Sequence, residues 1–215
     1  QVAWQPLLTQ LYDANPYLSV AAASALIKID ADAAMALVMP LLVARHDWPN
    51  TKIIMFLKEA GSSAFSTPLA NAIRTSLPQP KGRLIDLLEL LPAELSAQLV
   101  REIIQTEQSP QTIARCLRVL KDPHDLDLVR RYSEHPDLAV RVQVASALGR
   151  IGLEEDRERL MVLLVDAQWW VRYRAAQALS ALPSMSVDEL LHIQQQHTDH
   201  LAKEMIAYVL AESAL

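Results

Sequence analysis

Apolar positions recur along this chain at two periods, a helical one within each segment and a longer one between segments. Leu26, Leu57, Leu88, Leu117, Leu148, Leu179 and Leu210 mark the longer period, with successive spacings of 31, 31, 29, 31, 31 and 31 residues. The neighbouring columns decide whether this alignment is an accident of a leucine-rich sequence. Four residues before each anchor stand Ala22, Ile53, Leu84, Ile113, Val144, Ala175 and Ile206. Three before stand Ala23, Ile54, Ile85, Ala114, Ala145, Ala176 and Ala207. One before stand Ala25, Phe56, Leu87, Cys116, Ala147, Ala178 and Val209, and three after stand Ile29, Ala60, Leu91, Leu120, Ile151, Leu182 and Ser213. These offsets fall on one helical stripe, so each unit contains an amphipathic helix, here called helix B.

A second apolar segment precedes most of these helices, as in residues 34–43, 95–104, 126–132, 160–165 and 187–193, and supplies helix A. Prolines punctuate the joints at Pro16, Pro49, Pro78, Pro80, Pro92, Pro110, Pro123, Pro136 and Pro183. Proline fits a first helical turn or a connection and disrupts most helix interiors. Pro6, Pro40 and Pro68 fall within A segments, where they predict kinks or helix starts. The pattern predicts an all-α fold, a right-handed α–α superhelix (solenoid) of about seven helical hairpins. Its period is about 31 residues, and it occupies residues 1–215 as a single repeat domain.

Composition narrows the function classes. Only 5% of residues are aromatic and four are glycine, as suits helices and leaves no Gly-rich phosphate loop. A net charge of −5 argues against a general nucleic-acid binder. Cys116 is the single cysteine, so no intrachain disulfide forms, and its column predicts a core position. The longest apolar run, 31–44, is interrupted by Asp32 and Pro40 and is too short to span a bilayer. These features predict a cytoplasmic protein. The apolar opening from Val2 to Leu8 predicts an array continuing upstream, with room for an anchor there, or self-association through the N-terminal end. Glu189, His192, Gln194, Gln195 and Gln196 give the last unit the polar character of a cap.

The last third carries a more specific signal. Asp137-Leu138-Ala139-Val140-Arg141, followed by Ala145-Ser146-Ala147-Leu148-Gly149-Arg150-Ile151-Gly152, resembles the HEAT-repeat pattern D-x-x-V-R…A-x-A-L-G-x-I-G. Val171-Arg172 with Ala175-Ala176-Gln177-Ala178-Leu179 repeats it, and Asn15-Pro16-Tyr17-Leu18 with Ala22-Ala23-Ser24-Ala25-Leu26 gives a weaker copy. The chain looks most like the short bacterial HEAT-like class that includes phycobilin-lyase-type repeats. That resemblance implies a non-catalytic protein–protein interaction scaffold with no cofactor. It also implies that the cations seven residues before the anchor, Lys81, Arg141, Arg172 and Lys203, form a structural ladder between repeats with aspartates such as Asp137.

Two surface features are candidates for partner binding. B-helix positions opposite the buried stripe carry Lys28, Lys52, Arg83, Arg115, Arg150 and Arg174 against Glu59, Asp86 and Glu212. A face of that sign on a concave B-helix surface would suit an acidic protein or peptide, the alternative being an ordinary solvated face. The other feature is aromatic: Trp169, Trp170 and Tyr173 cluster around the turn into one B helix, and Trp48 shares the register of Trp170. One tryptophan of the adjacent pair is expected under the turn and the other partly exposed.

Catalytic readings lack their residues. The di-iron hydroxylase branch of HEAT-like proteins uses His-Glu dipeptides, and none occurs in this sequence. A DNA-repair enzyme of the alkylpurine glycosylase type is the alternative, with Asp86 beside Arg83 too generic to name a catalyst. His192, His197 and His200 do not share one helical face and read as a turn, not as a metal site.

Overall fold

A computed structural model describes residues 4–76, 82–106 and 108–213, Ser213 by its backbone alone. Fourteen α-helices alternate between the A and B roles among the described residues. They are α1 (Trp4–Leu11), α2 (Pro16–Ile29), α3 (Ala31–Ala44), α4 (Asn50–Ala60), α5 (Ser62–Ser76), α6 (Gly82–Asp86) and α7 (Ala93–Thr106). Then follow α8 (Pro110–Val119), α9 (Leu126–Arg130), α10 (Leu138–Ile151), α11 (Arg157–Leu164), α12 (Trp169–Ala181), α13 (Val187–Gln196) and α14 (His200–Ser213). Odd numbers are A helices and even numbers B helices, one pair for each anchor leucine.

Local chemistry sets the joints. Asn15 caps α2 by accepting from the Tyr17 N–H, with Pro16 in the first turn. Asp30 ends α2 and caps α3 in one residue, accepting from the Ala33 N–H. Asp137 caps α10, and Ser186 with Glu189 forms a capping box on α13. Gly61 ends α4 at φ +81°, a backbone conformation that side chains resist. Pro92 confines Leu91 to extended backbone, so α6 closes in a 3-10 turn over Leu87–Leu90. Pro40 and Pro68 are accommodated inside α3 and α5, which run through them.

Packing divides the chain into two compact units, Gln1–Glu107 and Gln108–Leu215. In the first, α2 packs on α1, α3 and α4, while α5 packs on α3, α4 and α6. In the second, the B helices α8, α10, α12 and α14 pack successively, with α9, α11 and α13 against their flanks. The column four residues before the anchor is buried in all seven repeats, and the anchor itself in six, Leu210 being half-buried. Fully burying one such aliphatic side chain contributes about 1.5–3 kcal/mol. Gly149 lets α10 and α12 approach closely, since a Cβ there would lie 3.1 Å from the Ala178 Cα.

Candidate functional site

In the turns before α2, α4, α10, α12 and α14, backbone carbonyls accept hydrogen bonds from long cationic side chains. Arg141 donates through Nη1 to the carbonyls of His135 and Pro136 at 2.7 and 2.9 Å. Its Nε and Nη2 also reach the Asp166 carboxylate of the next repeat at 2.7 and 3.1 Å. Arg172 donates to the carbonyls of Asp166 and Ala167, and Lys203 to that of Gln195. In the first unit the donor comes from the following repeat instead. Arg45 bonds the carbonyls of Asp13 and Ala14, and Arg83 those of Arg45, His46 and Trp48.

The predicted ladder is therefore altered in its acid. Asp137 spends its carboxylate on the α10 cap, accepting from the Ala139 N–H, and Asp166 takes Arg141. Lys81 lies outside the described residues. Burial pushes the Asp166 carboxyl upward, but Arg141 and the Gln168 N–H together outweigh it and leave the group below the usual carboxylate range. A second pair braces α9. Asp156, fully buried, accepts from Arg130 Nε and Nη2 at 2.7 and 2.9 Å, while Glu155 and Asp127 also face that guanidinium. Its carboxyl is likewise pushed up by burial and held down overall by Arg130 and the Leu153 N–H.

These contacts revise the candidate cations. Arg83 is engaged with turn carbonyls, and Arg150 donates to the carbonyls of Leu117, Arg118 and Leu120 at the end of α8. Both act as staples between repeats, which removes two of the cations that a phosphate-binding groove would have needed. Lys28 pairs with Glu59 at 3.6 Å. Lys52 is exposed on α4, and Arg115 is half-buried on α8. Arg174 remains exposed, donates to Gln177 Oε1 and lies 5.6 Å from the Tyr173 ring centre.

Trp48 is the clearest correction. It is 1% exposed, packs edge-on against Phe56 and donates its indole N–H to the buried Ser19 Oγ, which in turn donates to the Leu11 carbonyl. Its ring belongs to the core and offers no face to a partner. The adjacent pair departs from expectation in the other direction: Trp169 is 42% exposed and Trp170 57%.

The two rings join Tyr173 and Tyr208 of α14 in one surface cluster. Trp169 stacks on Tyr173 at 5.1 Å and meets Trp170 edge-on at 4.7 Å, while Tyr208 stands 6.2 and 5.9 Å from Trp169 and Tyr173. Glu212 accepts from the Tyr173 hydroxyl, which also accepts from Gln177 Nε2, so two partners fix that hydroxyl. Reading only the charges of the outward column missed Tyr208. It stands two residues before Leu210, in the column where Arg115 precedes Leu117. Beside the cluster, Ser146, Gly149, Arg150, Arg174, Gln177 and Ala178 help line a cleft of about 330 Å³ between α10 and α12.

Among the described residues no helix is long and apolar enough to cross a membrane, and no His, Cys, Asp and Glu side chains gather as metal ligands would. His197 instead accepts the Asp199 N–H through Nδ1. No curated protein matches the chain. A family model described as HEAT repeats matches residues 97–180 and again 132–211, together more than half of the sequence. HEAT repeats generally mediate protein–protein interaction and are typically non-catalytic. With the seven-fold register, the paired helices and this match in agreement, the chain belongs to the HEAT-repeat family.

Proposed function

We propose that the chain is a non-catalytic interaction scaffold that holds a protein partner on the B-helix face of its second unit. The observation carrying this reading is the exposed cluster of Trp169, Trp170, Tyr173 and Tyr208. Large aromatic rings left in water at one spot are favoured anchors of protein interfaces, particularly beside an arginine. Arg174 supplies that arginine and favours an acidic partner. Arg141 ties α10 to Asp166 ahead of α12, and the Tyr173 hydroxyl ties α12 to Glu212 of α14, so the rings stand on a preorganised surface.

A photo-crosslinking residue at Tyr208 tests the reading, with the same residue at Val162 on the A helix α11 as control; both positions are exposed. In extract of the source cell, a discrete crosslinked protein is expected from position 208 and not from 162. Equal crosslinking from both positions, or from 162 alone, refutes the placement.

A further inference from the structure

The ring face in the second unit carries unused hydrogen-bond donors as well as apolar area, and together these specify more than a generic protein contact. The indole N–H groups of Trp169 and Trp170 and the Tyr208 hydroxyl have no acceptor among the described residues, although their rings pack on one another. Arg174 has a neutral partner, Gln177, and no carboxylate within ion-pair distance among those residues. The nearest acid of the cluster, Glu212, is already engaged by the Tyr173 hydroxyl. The surface therefore presents ring faces, ring-edge donors and one cation needing an anion.

We infer that this face binds an extended, proline-containing segment bearing carboxylates, in the polyproline II conformation. This rests on the proposed use of the face for protein binding and adds the chemistry of what it binds. A helical partner bonds most of its carbonyls internally and offers these exposed donors only side-chain acceptors. A polyproline II segment makes no internal hydrogen bonds, so its carbonyls are available, and its pyrrolidine rings pack flat on aromatic faces. Charge complementarity selects the acid. Arg174 borders both the rings and the α10–α12 cleft, so a carboxylate beside the prolines reaches its guanidinium.

The test uses the full chain and three fluorescein-labelled peptides read by anisotropy. One repeats a proline–proline–glutamate triplet, the second replaces glutamate by lysine, and the third replaces proline by alanine to give an acidic helix former. Saturable binding of the first is expected, weakened at least about tenfold for each of the other two. Trp170→Ala and Arg174→Glu should each weaken it by a similar factor. Both side chains are exposed, and a circular dichroism spectrum unchanged from the parent shows that the fold is retained. Equal affinity for the lysine or alanine peptide overturns the inference, as does indifference to either substitution. Failure of all three peptides, while Trp170→Ala still abolishes crosslinking of a cellular protein at position 208, also overturns it. In that last case the protein-binding role of the face survives.

Discussion

Replacing His197 with aspartate should stabilise the last repeat, because it restores a rung that the sequence has lost. Thirteen residues before the anchor stand Asp13, His135, Asp166 and His197, and each accepts the backbone N–H two residues on, at 2.7, 3.1, 2.8 and 3.0 Å. Aspartate can serve that turn with one oxygen and still offer the other to an arginine of the previous repeat, as Asp166 does for Arg141. A histidine whose Nδ1 accepts from the backbone carries its proton on Nε2 and has no acceptor left. The consequence is visible one repeat earlier. Arg172 is 7% exposed and bonds two carbonyls through Nη1, but its buried Nε has no hydrogen-bond partner among the described residues.

An unsatisfied buried donor costs about 1–3 kcal/mol, and a charge-assisted bond contributes about 1.5–3 kcal/mol. Desolvating the new carboxylate offsets part of that gain. A net stabilisation of about 1–2 kcal/mol is expected, or roughly 2–8 °C in melting temperature for a chain of this length. Because repeat arrays can unfold piecewise, amide hydrogen exchange in α13 and α14 is the sharper assay. Protection there should rise about five- to thirtyfold, and the gain should vanish when Arg172→Gln is added. Unchanged or reduced protection in His197→Asp, or a gain that persists without Arg172, refutes the reasoning.

Acid should loosen the second unit through two arginine-paired carboxylates, the buried Asp156 and the half-buried Asp166. Asp156 and Asp166 have folded pKa values below the ordinary value. Their pairs therefore contribute fully above about pH 4 and are lost as pH falls through the depressed folded values. Urea midpoints measured from pH 7 down to pH 2 should fall mainly below pH 4, and Asp166→Asn should flatten that fall; a profile identical to the parent's would contradict the assignment. Trp48→Phe should destabilise the first unit by about 1–3 kcal/mol, since it removes the donor to buried Ser19 and leaves part of the indole volume empty. Denaturant unfolding checks this, and an unchanged midpoint would show that the hydrogen bond contributes nothing.

The stripe itself was legible from the sequence, because one face of every B helix must be apolar to be buried. Its flanks were less so. Ile54, three residues before its anchor, is 37% exposed, and Ile29, three after, is 51% exposed. Burial at the edge of a stripe depends on which neighbour covers it, and the period does not encode that. The tryptophans show the same limit more sharply. Trp48 and Trp170 share a register, yet one is buried and the other largely exposed. In the repeat before Trp48 the ladder position holds the small Ser19, which leaves room for an indole and accepts its N–H. In the repeat before Trp170 that position holds Arg141, paired with Asp166. Reading the two columns jointly would have separated the two rings. The stapling roles of Arg45, Arg83 and Arg150 were not legible, because their acceptors are main-chain carbonyls that any sequence supplies.

The central claim is that the ring face of α12 and α14 holds a protein partner, and affinity capture from the source cell tests it most directly. The parent chain is compared with Trp169→Ala/Trp170→Ala and with a control, Tyr12→Ala/Tyr17→Ala, which removes two exposed rings of the first unit. All three proteins should show the same helical content. The account predicts that a protein recovered with the parent and with the control is lost with the tryptophan variant. Recovery of the same proteins by all three would contradict it.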